Sequence, residues 1–308
     1  MKSEEHTICL TFDFDAICLW LGSFGAETPS MCSRGEFAVP GLMRVLKLLE
    51  KHDVPSTFFV PGHSAHLYPS YVKEIVDKGH EIGHHGWSHR NPTKLSREEE
   101  RRDFELGFEA LDWAAGVTPT GCRTAAWDFS PNTLDLMIEY DLDYSSTFMA
   151  NDFYPYYLRS GDEFPKNEPF VFGDLVDVVE LPPSWGLDDF PPLEYVWGMN
   201  QGPNTPSQVR ELWQGEFDYM VENCPGGMYV LTCHPQFIGR GSRLKMMDEL
   251  IEHMKGDGRV FSTLGDLAAK FRAENPMEQW AAENPHLTGA AARPPETSER
   301  LRALMEAP

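Results

Sequence analysis

Three features of the 308-residue chain predict a parallel α/β fold. Short strand-like apolar runs alternate with helix-periodic segments over about 270 residues. Polar residues of catalytic type (Asp13, Asp15, His85, Arg123 and His234) fall where the predicted strands end, as they do in (β/α) barrels and doubly wound sheets. No Gly-rich dinucleotide or phosphate loop follows the first strand, which favours a barrel over a doubly wound sheet.

The first element is HTICLTFDF, apolar at Ile8, Leu10 and Phe12 with a period of two. PGLMRVLKLLEKHD then has helical periodicity through Leu42, Val45, Leu46 and Leu49. STFFVPG reads as a strand ended by Pro-Gly, and YPSYVKEIVDKGH as a helix stopped at Gly79. HEIGHH is a second short strand. SREEERRDFELGFEALDWAAG opens on a capping box, Ser96 with Glu99, and stops at Gly116. GCRTAAW, DYSST, VVELPP and GGMYVLTCHP are further strands, with helices at 131–140, 206–222 and 242–255. RVFST and TLGDLAAKFRA complete a barrel spanning 1–274. Within it, 148–205 is rich in Pro and aromatic residues and reads as a lid, cleft wall or oligomer contact. Residues 275–308, rich in Pro and Ala, read as an extension over the body or a partner subunit, or as disordered chain.

Composition narrows the function. Hydrophobic residues make up 41% and charged residues 24%, an ordinary globular balance. The net charge of −22 argues against nucleic acid and anionic lipid as partners. No run of 18 apolar residues predicts a membrane span, and the N-terminal segment does not resemble a secretory signal, so a cytoplasmic protein is expected. The six cysteines form no CxxC pair and read as reduced thiols.

Four segments carry candidate chemistry. In TFDFDA, Asp13 and Asp15 are two apart and share a strand face, placing two carboxylates where they share a cation, act as a base, or cap a turn. In GHEIGHHGWSHRNP, His85 and His89 are four apart, a spacing that puts both on one side of a helical turn. With one Asp they form an N/O site for a divalent metal, and no thiolate singles out zinc from Co, Ni, Mn or Fe. His80 and His84 crowd the same segment as alternatives. LTCHP ends a strand on His234, which suits acid–base work or a core hydrogen bond equally. Arg123, in GCRTAAW, either pairs with Asp13 or sits in a surface salt bridge. Trp127 lines a pocket or packs, and Arg240 faces the cleft or solvent.

Together and in this order, TFDFDA, HHGWSH, RTAAW and LTCHP resemble the motifs of the polysaccharide deacetylase (NodB-homology) superfamily over residues 7–270. DAICLWLGSFG, PGHSAHLYP, ANDFYPYYLRSGD and LPPSWGLDDFPP look like its intracellular branch, which includes peptidoglycan-deacetylase-like proteins, cyclic imide hydrolases and a metal-independent type of allantoinase. The resemblance implies a distorted seven-stranded (β/α) barrel. It implies Asp13 as general base, Asp15, His85 and His89 as ligands of one divalent ion, zinc first, Arg123 as the residue holding the base, and His234 as general acid. The cleft wall would include Trp127, Trp185, Tyr156 and Arg240, and the assembly would be a homotetramer. DFD replaces the two adjacent Asp of extracellular relatives, and the third motif lacks its usual proline and glycine. These departures favour a small cyclic amide, imide or ureide over a wall polymer. N-deacetylation of a peptidoglycan- or chitin-type glycan, or silent binding on the same fold, are the other expectations.

Overall fold

The computed structural model describes residues 5–166, 168–199 and 203–289. Its strands are β1 (His6–Asp13), β2 (Ser56–Val60), β3 (Glu81–His84), β4 (Gly121–Cys122), β5 (Tyr144–Ser145), β6 (Tyr156–Ser160), β7 (Asp174–Glu180), β8 (Met228–Cys233) and β9 (Arg259–Phe261). Its helices are α1 (Pro29–Glu36), α2 (Ala38–His52), α3 (Gly62–Leu67), α4 (Pro69–Asp77), α5 (Arg97–Ala115), α6 (Thr133–Glu139), α7 (Phe190–Leu193), α8 (Pro206–Asn223), α9 (Pro235–Ile238), α10 (Gly241–Met254), α11 (Leu264–Glu274) and α12 (Met277–Glu283). One mixed sheet runs β6-β7-β5-β4-β3-β2-β1-β8, with β9 beside β1. All neighbours pair in parallel except β6, which folds back on β7. The described residues thus form nine strands rather than the expected seven. The surplus is the antiparallel arm β6 and the short β9.

The sheet curls into a barrel whose open edges are β6, the arm beside β7, and β8. The chain after β7 closes it: Asp188 bridges Thr232 in parallel, and the Asp189 N–H donates to the Thr232 carbonyl at 3.1 Å. β1 lies between β2 and β8, and both its faces are buried. Ile8, Leu10, Phe12 and Phe14 pack outward against the helices around α2, α8 and α10. The alternate positions Cys9, Thr11 and Asp13 line the interior. Burying one such aliphatic or aromatic side chain contributes about 1.5–3 kcal/mol.

The expected helix punctuation is present. Ser96 and Glu99 form the capping box of α5, and Gly116 ends it with φ +68°. All six cysteines are free. The stretch 148–205 holds the hairpin β6–β7, which its irregular composition hides. Residues 275–289 pack on that hairpin: Trp280 is buried against Tyr157, and Arg159 donates to the Leu287 carbonyl. Residues 167, 200–202 and 290–308 of the two atypical regions lie outside the described residues. No helix among the described residues is long and apolar enough to cross a membrane.

Candidate active site

The site forms where β1, β3, β4 and β8 end. β1 delivers Asp13 as its last residue. Asp15 lies one turn beyond the strand, past the Phe14 N–H bonded to the Phe59 carbonyl and before Ala16 at φ +52°. Ser64 pins the Asp15 carbonyl at 2.6 Å, leaving the carboxylate aimed inward. The two acids converge on His85, whose Nε2 is 3.3 Å from Asp15 Oδ1 and 3.8 Å from Asp13 Oδ2. His89 Nε2 is 3.4 Å from Asp15 Oδ2.

His85 and His89 do not share a helical turn. They sit on the loop after β3, brought together by Gly86 at φ +66° and His89 at φ +57°. The four-residue spacing does bring the two rings together, through a different geometry, since a tight loop also folds four residues back. Each ring is held by its other nitrogen. His85 Nδ1–H donates to the Arg123 carbonyl at 2.6 Å. Ser23 Oγ donates to the His89 carbonyl at 2.9 Å, so it accepts from His89 Nδ1–H at 2.7 Å. Both Nε2 lone pairs therefore face Asp15.

Both Asp15 oxygens and His85 Nε2 are buried with no hydrogen-bond partner. Buried polar groups are rarely left so, and a divalent cation satisfies all of them. Asp15, His85 and His89 offer ligand atoms within 4.8 Å of one another, which fits such an ion. Burial opposes ionisation of Asp15, yet His89 and His85 beside it hold its carboxyl well below the usual range. Burial pushes His89 down to about 4, so it is neutral, as a ligand must be.

Arg123 is fully buried and holds Asp13. Its Nη1 donates to Asp13 Oδ1 at 2.7 Å and to Thr11 Oγ1 at 3.0 Å. Its Nε and Nη2 donate to the Ser146 carbonyl and hydroxyl, and its plane lies 4.3 Å over the Phe59 ring. Asp13 Oδ2 is left facing the histidines. Breaking such a buried pair costs about 3–5 kcal/mol.

His234 caps β8 and points back across the barrel, with Nε2 3.6 Å from Asp15 Oδ2. Sequence reasoning missed its partner. Asp189 accepts from His234 Nδ1–H at 2.7 Å, and both its oxygens accept the His234 backbone N–H at 3.0 Å. Burial alone lowers the His234 pKa, but Asp189, then Asp188 and Asp15, push it up to about 10. Asp188, Asp189 and His234 also cluster tightly enough for a cation. His234 Nδ1 is already spent on Asp189, so the group reads as a hydrogen-bonded acid–base pair. Adjacent acids in LDDFPP were the available signal, but the contact spans 45 residues and exists only because the post-β7 chain closes the barrel.

These groups open onto a cavity of about 640 Å³. Trp127 and Trp185 stack in its wall with centroids 4.3 Å apart. Ala126 and Trp127 both have positive φ, at +58° and +48°, a strained step that turns the indole inward. Leu19, Phe24, Phe190 and Met199, which no motif flagged, complete the apolar lining. Two expected wall residues are elsewhere. Tyr156 is buried in β6, where its hydroxyl accepts the Ala150 N–H. Arg240 is exposed and stacks on Phe37 at 3.7 Å. Inward alternation on an outer hairpin and the solvation of a helix-capping Arg account for the two.

Comparison with known proteins agrees with this geometry. Residues 1–145 match the family model described as polysaccharide deacetylase. The chain is similar to a peptidoglycan deacetylase of Helicobacter pylori, with 34% identity over 295 residues, covering 90% of this chain and all of the relative. A crystal structure from Mycobacterium smegmatis assigned to the polysaccharide deacetylases superposes with TM-score 0.79 at 33% identity, covering 88% of this chain and 92% of that one. An allantoinase structure shares the fold, with TM-score 0.74 at 20% identity over 90% of this chain and 93% of that one. The chain belongs to the polysaccharide deacetylase family and is a hydrolase acting on carbon–nitrogen bonds.

Proposed function

We propose that the chain opens a small cyclic amide, imide or ureide, with Asp15, His85 and His89 holding one divalent cation, zinc first. The observation that carries this is the enclosure of the reactive groups at the floor of a cavity walled by stacked indoles and by Phe24 and Phe190. A flat ring fits between aromatic faces, and walls on several sides suit a small molecule better than a polymer. A bound cation supplies Lewis acidity toward a carbonyl oxygen and toward water.

The chain's own groups do the rest. Arg123 holds Asp13 Oδ1, so Asp13 Oδ2 accepts the proton of the attacking water. His234, kept protonated by Asp189, delivers a proton from Nε2 to the departing ring nitrogen. The indole pair keeps the ring plane fixed while this happens.

A second reading is removal of an N-acetyl group from a glycan, which the name of the Helicobacter pylori relative favours. Turnover of a panel of succinimide, hydantoin and dihydrouracil, beside acetate release from chitooligosaccharides, separates the two. Ring opening that stops with chelator and returns with zinc is expected. Acetate release without ring opening would overturn the first reading in favour of the second. No turnover of either by metal-loaded protein would leave a silent binding protein. Asp189→Asn should lower kcat by about 10²–10⁴, because His234 loses its orientation and its charge support.

A further inference from the structure

We propose that the substrate ring carries a carboxylate, received by Arg90 and Lys94 at the mouth of the active-site cavity; this deepens the hydrolase reading above and rests on it. Charge along the cavity is arranged in two layers. Asp13, Asp188, His85, His89 and His234 line it and are buried, which makes them the floor. Arg90 and Lys94 line the same cavity and are exposed, which makes them the rim. Asp13 on the floor is already neutralised by Arg123. Neither rim cation has a side-chain hydrogen bond or ion pair among the described residues. Arg90 is felt at a distance by Glu99 and Asp103, and pairs with neither.

The rim cations are also fixed relative to the chemistry. They continue the loop that carries His85 and His89. Asn91 between them accepts the Thr93 N–H at 2.8 Å and the Thr93 hydroxyl at 2.6 Å, and Pro92 is buried. Asn91 Nδ2 also donates to Asp128 at 3.3 Å, which ties the loop to the segment bearing Trp127. The chain as a whole has 26 Lys and Arg against 48 Asp and Glu. Two cations without an ion-pair partner among the described residues, at the mouth of the reactive cavity, therefore oppose the net negative charge where a substrate enters, and favour an anion over a neutral molecule. A carboxylate at the rim leaves the scissile amide of a small ring to reach the floor.

Orotate and uracil test this, because they share a flat cyclic ureide and differ by one carboxylate. Calorimetry on the full-length, metal-loaded protein should show orotate binding about tenfold more tightly than uracil, the scale of two exposed charge contacts. The preference should shrink in high salt. In Arg90→Gln/Lys94→Gln the ratio should fall toward one, with the thermal midpoint unchanged. Equal affinities in the wild type, a preference that survives the double substitution, or no binding of orotate at millimolar concentration would each overturn the proposal. The outcome is separate from the hydrolase reading. If the ring panel fails while the orotate preference and its loss stand, the anion-receiving mouth holds and the ring-opening reading falls.

Discussion

The two ends of β3 hold carboxylates in opposite conditions. At its start Glu81 accepts three hydrogen bonds: Thr57 Oγ1 at 2.6 Å and the Gly265 N–H at 3.1 Å on Oε2, and the Tyr144 hydroxyl at 2.9 Å on Oε1. Beyond its other end, Asp15 is fully buried, yet neither of its oxygens has a hydrogen-bond partner. The neighbouring histidines repeat the contrast. His84 donates from Nε2 to the Phe104 carbonyl at 3.1 Å and accepts the Gly86 N–H at Nδ1. His85 keeps Nε2 bare. A satisfied carboxylate ties β2, β3, β5 and α11 together. An unsatisfied one is costly to fold around and is kept because something else completes it.

Paired substitutions at the two ends should break the symmetry most strongly. Asp15→Asn is expected to cut zinc affinity by more than the roughly 100-fold that loss of a supporting contact costs, and to abolish turnover with it. Folding stability should hardly fall, because an orphaned charge is removed. Glu81→Ala should do the reverse. It strands three donors and lowers stability by roughly 2–4 kcal/mol, with zinc affinity intact. Elemental analysis after dialysis and denaturant unfolding read the two effects. Zinc retained at full stoichiometry in Asp15→Asn would contradict the assignment of the orphaned oxygens.

A finer contrast lies in Ser23. It touches no reacting atom, but its hydroxyl fixes the His89 ring at 2.7 Å. Gly22 beside it approaches so closely that a Cβ would stand 1.8 Å from the Ser88 carbonyl oxygen, so the Leu19–Ser23 turn is pressed on the ligand loop. Ser23→Ala should weaken zinc binding by about 10- to 100-fold, read by competition with a chromogenic chelator. Ser23→Thr, which keeps the hydroxyl, should restore most of it. Unchanged affinity in the Ala variant would make the contact merely structural.

What could be read in advance follows the range of each contact. Strand ends and spacing on one segment are local, so Asp13, Asp15, His85, His89, Arg123 and His234 could be named from motif and period, and they do meet. Ser23 reaches His89 across 66 residues, and Asp189 reaches His234 across 45. Neither has a local signature, because each depends on how the barrel curls and where it is closed. Where Tyr156 and Arg240 point does not follow from residue type, which does not say which way a side chain faces. The antiparallel β6 escaped notice because YYLRS is too short for its period to stand out from its irregular neighbours.

Glu180 offers the mildest test, on stability rather than chemistry. It ends β7 inside the barrel, fully buried, and accepts the Thr147 N–H at 2.6 Å. Burial pushes its pKa up to about 8, against the pull of hydrogen bonds and of Arg123. At neutral pH it is therefore mostly protonated, which leaves the Arg123 charge to Asp13. Between an unfolded pKa near 4.3 and the folded value, the native state holds a proton that the unfolded chain has released. Its contribution to stability is thus fully present below about pH 4 and declines as pH rises toward 8. Glu180→Gln keeps the shape and removes the titration. Relative to that variant, the wild type should lose a few kcal/mol between pH 5 and pH 9, or several degrees in Tm, with zinc affinity unaltered. Parallel pH profiles for the two proteins would mean that Glu180 is ionised in the fold. Arg123 would then divide its charge between two carboxylates, and the isolation of the Asp13–Arg123 pair at the floor of the site would be lost.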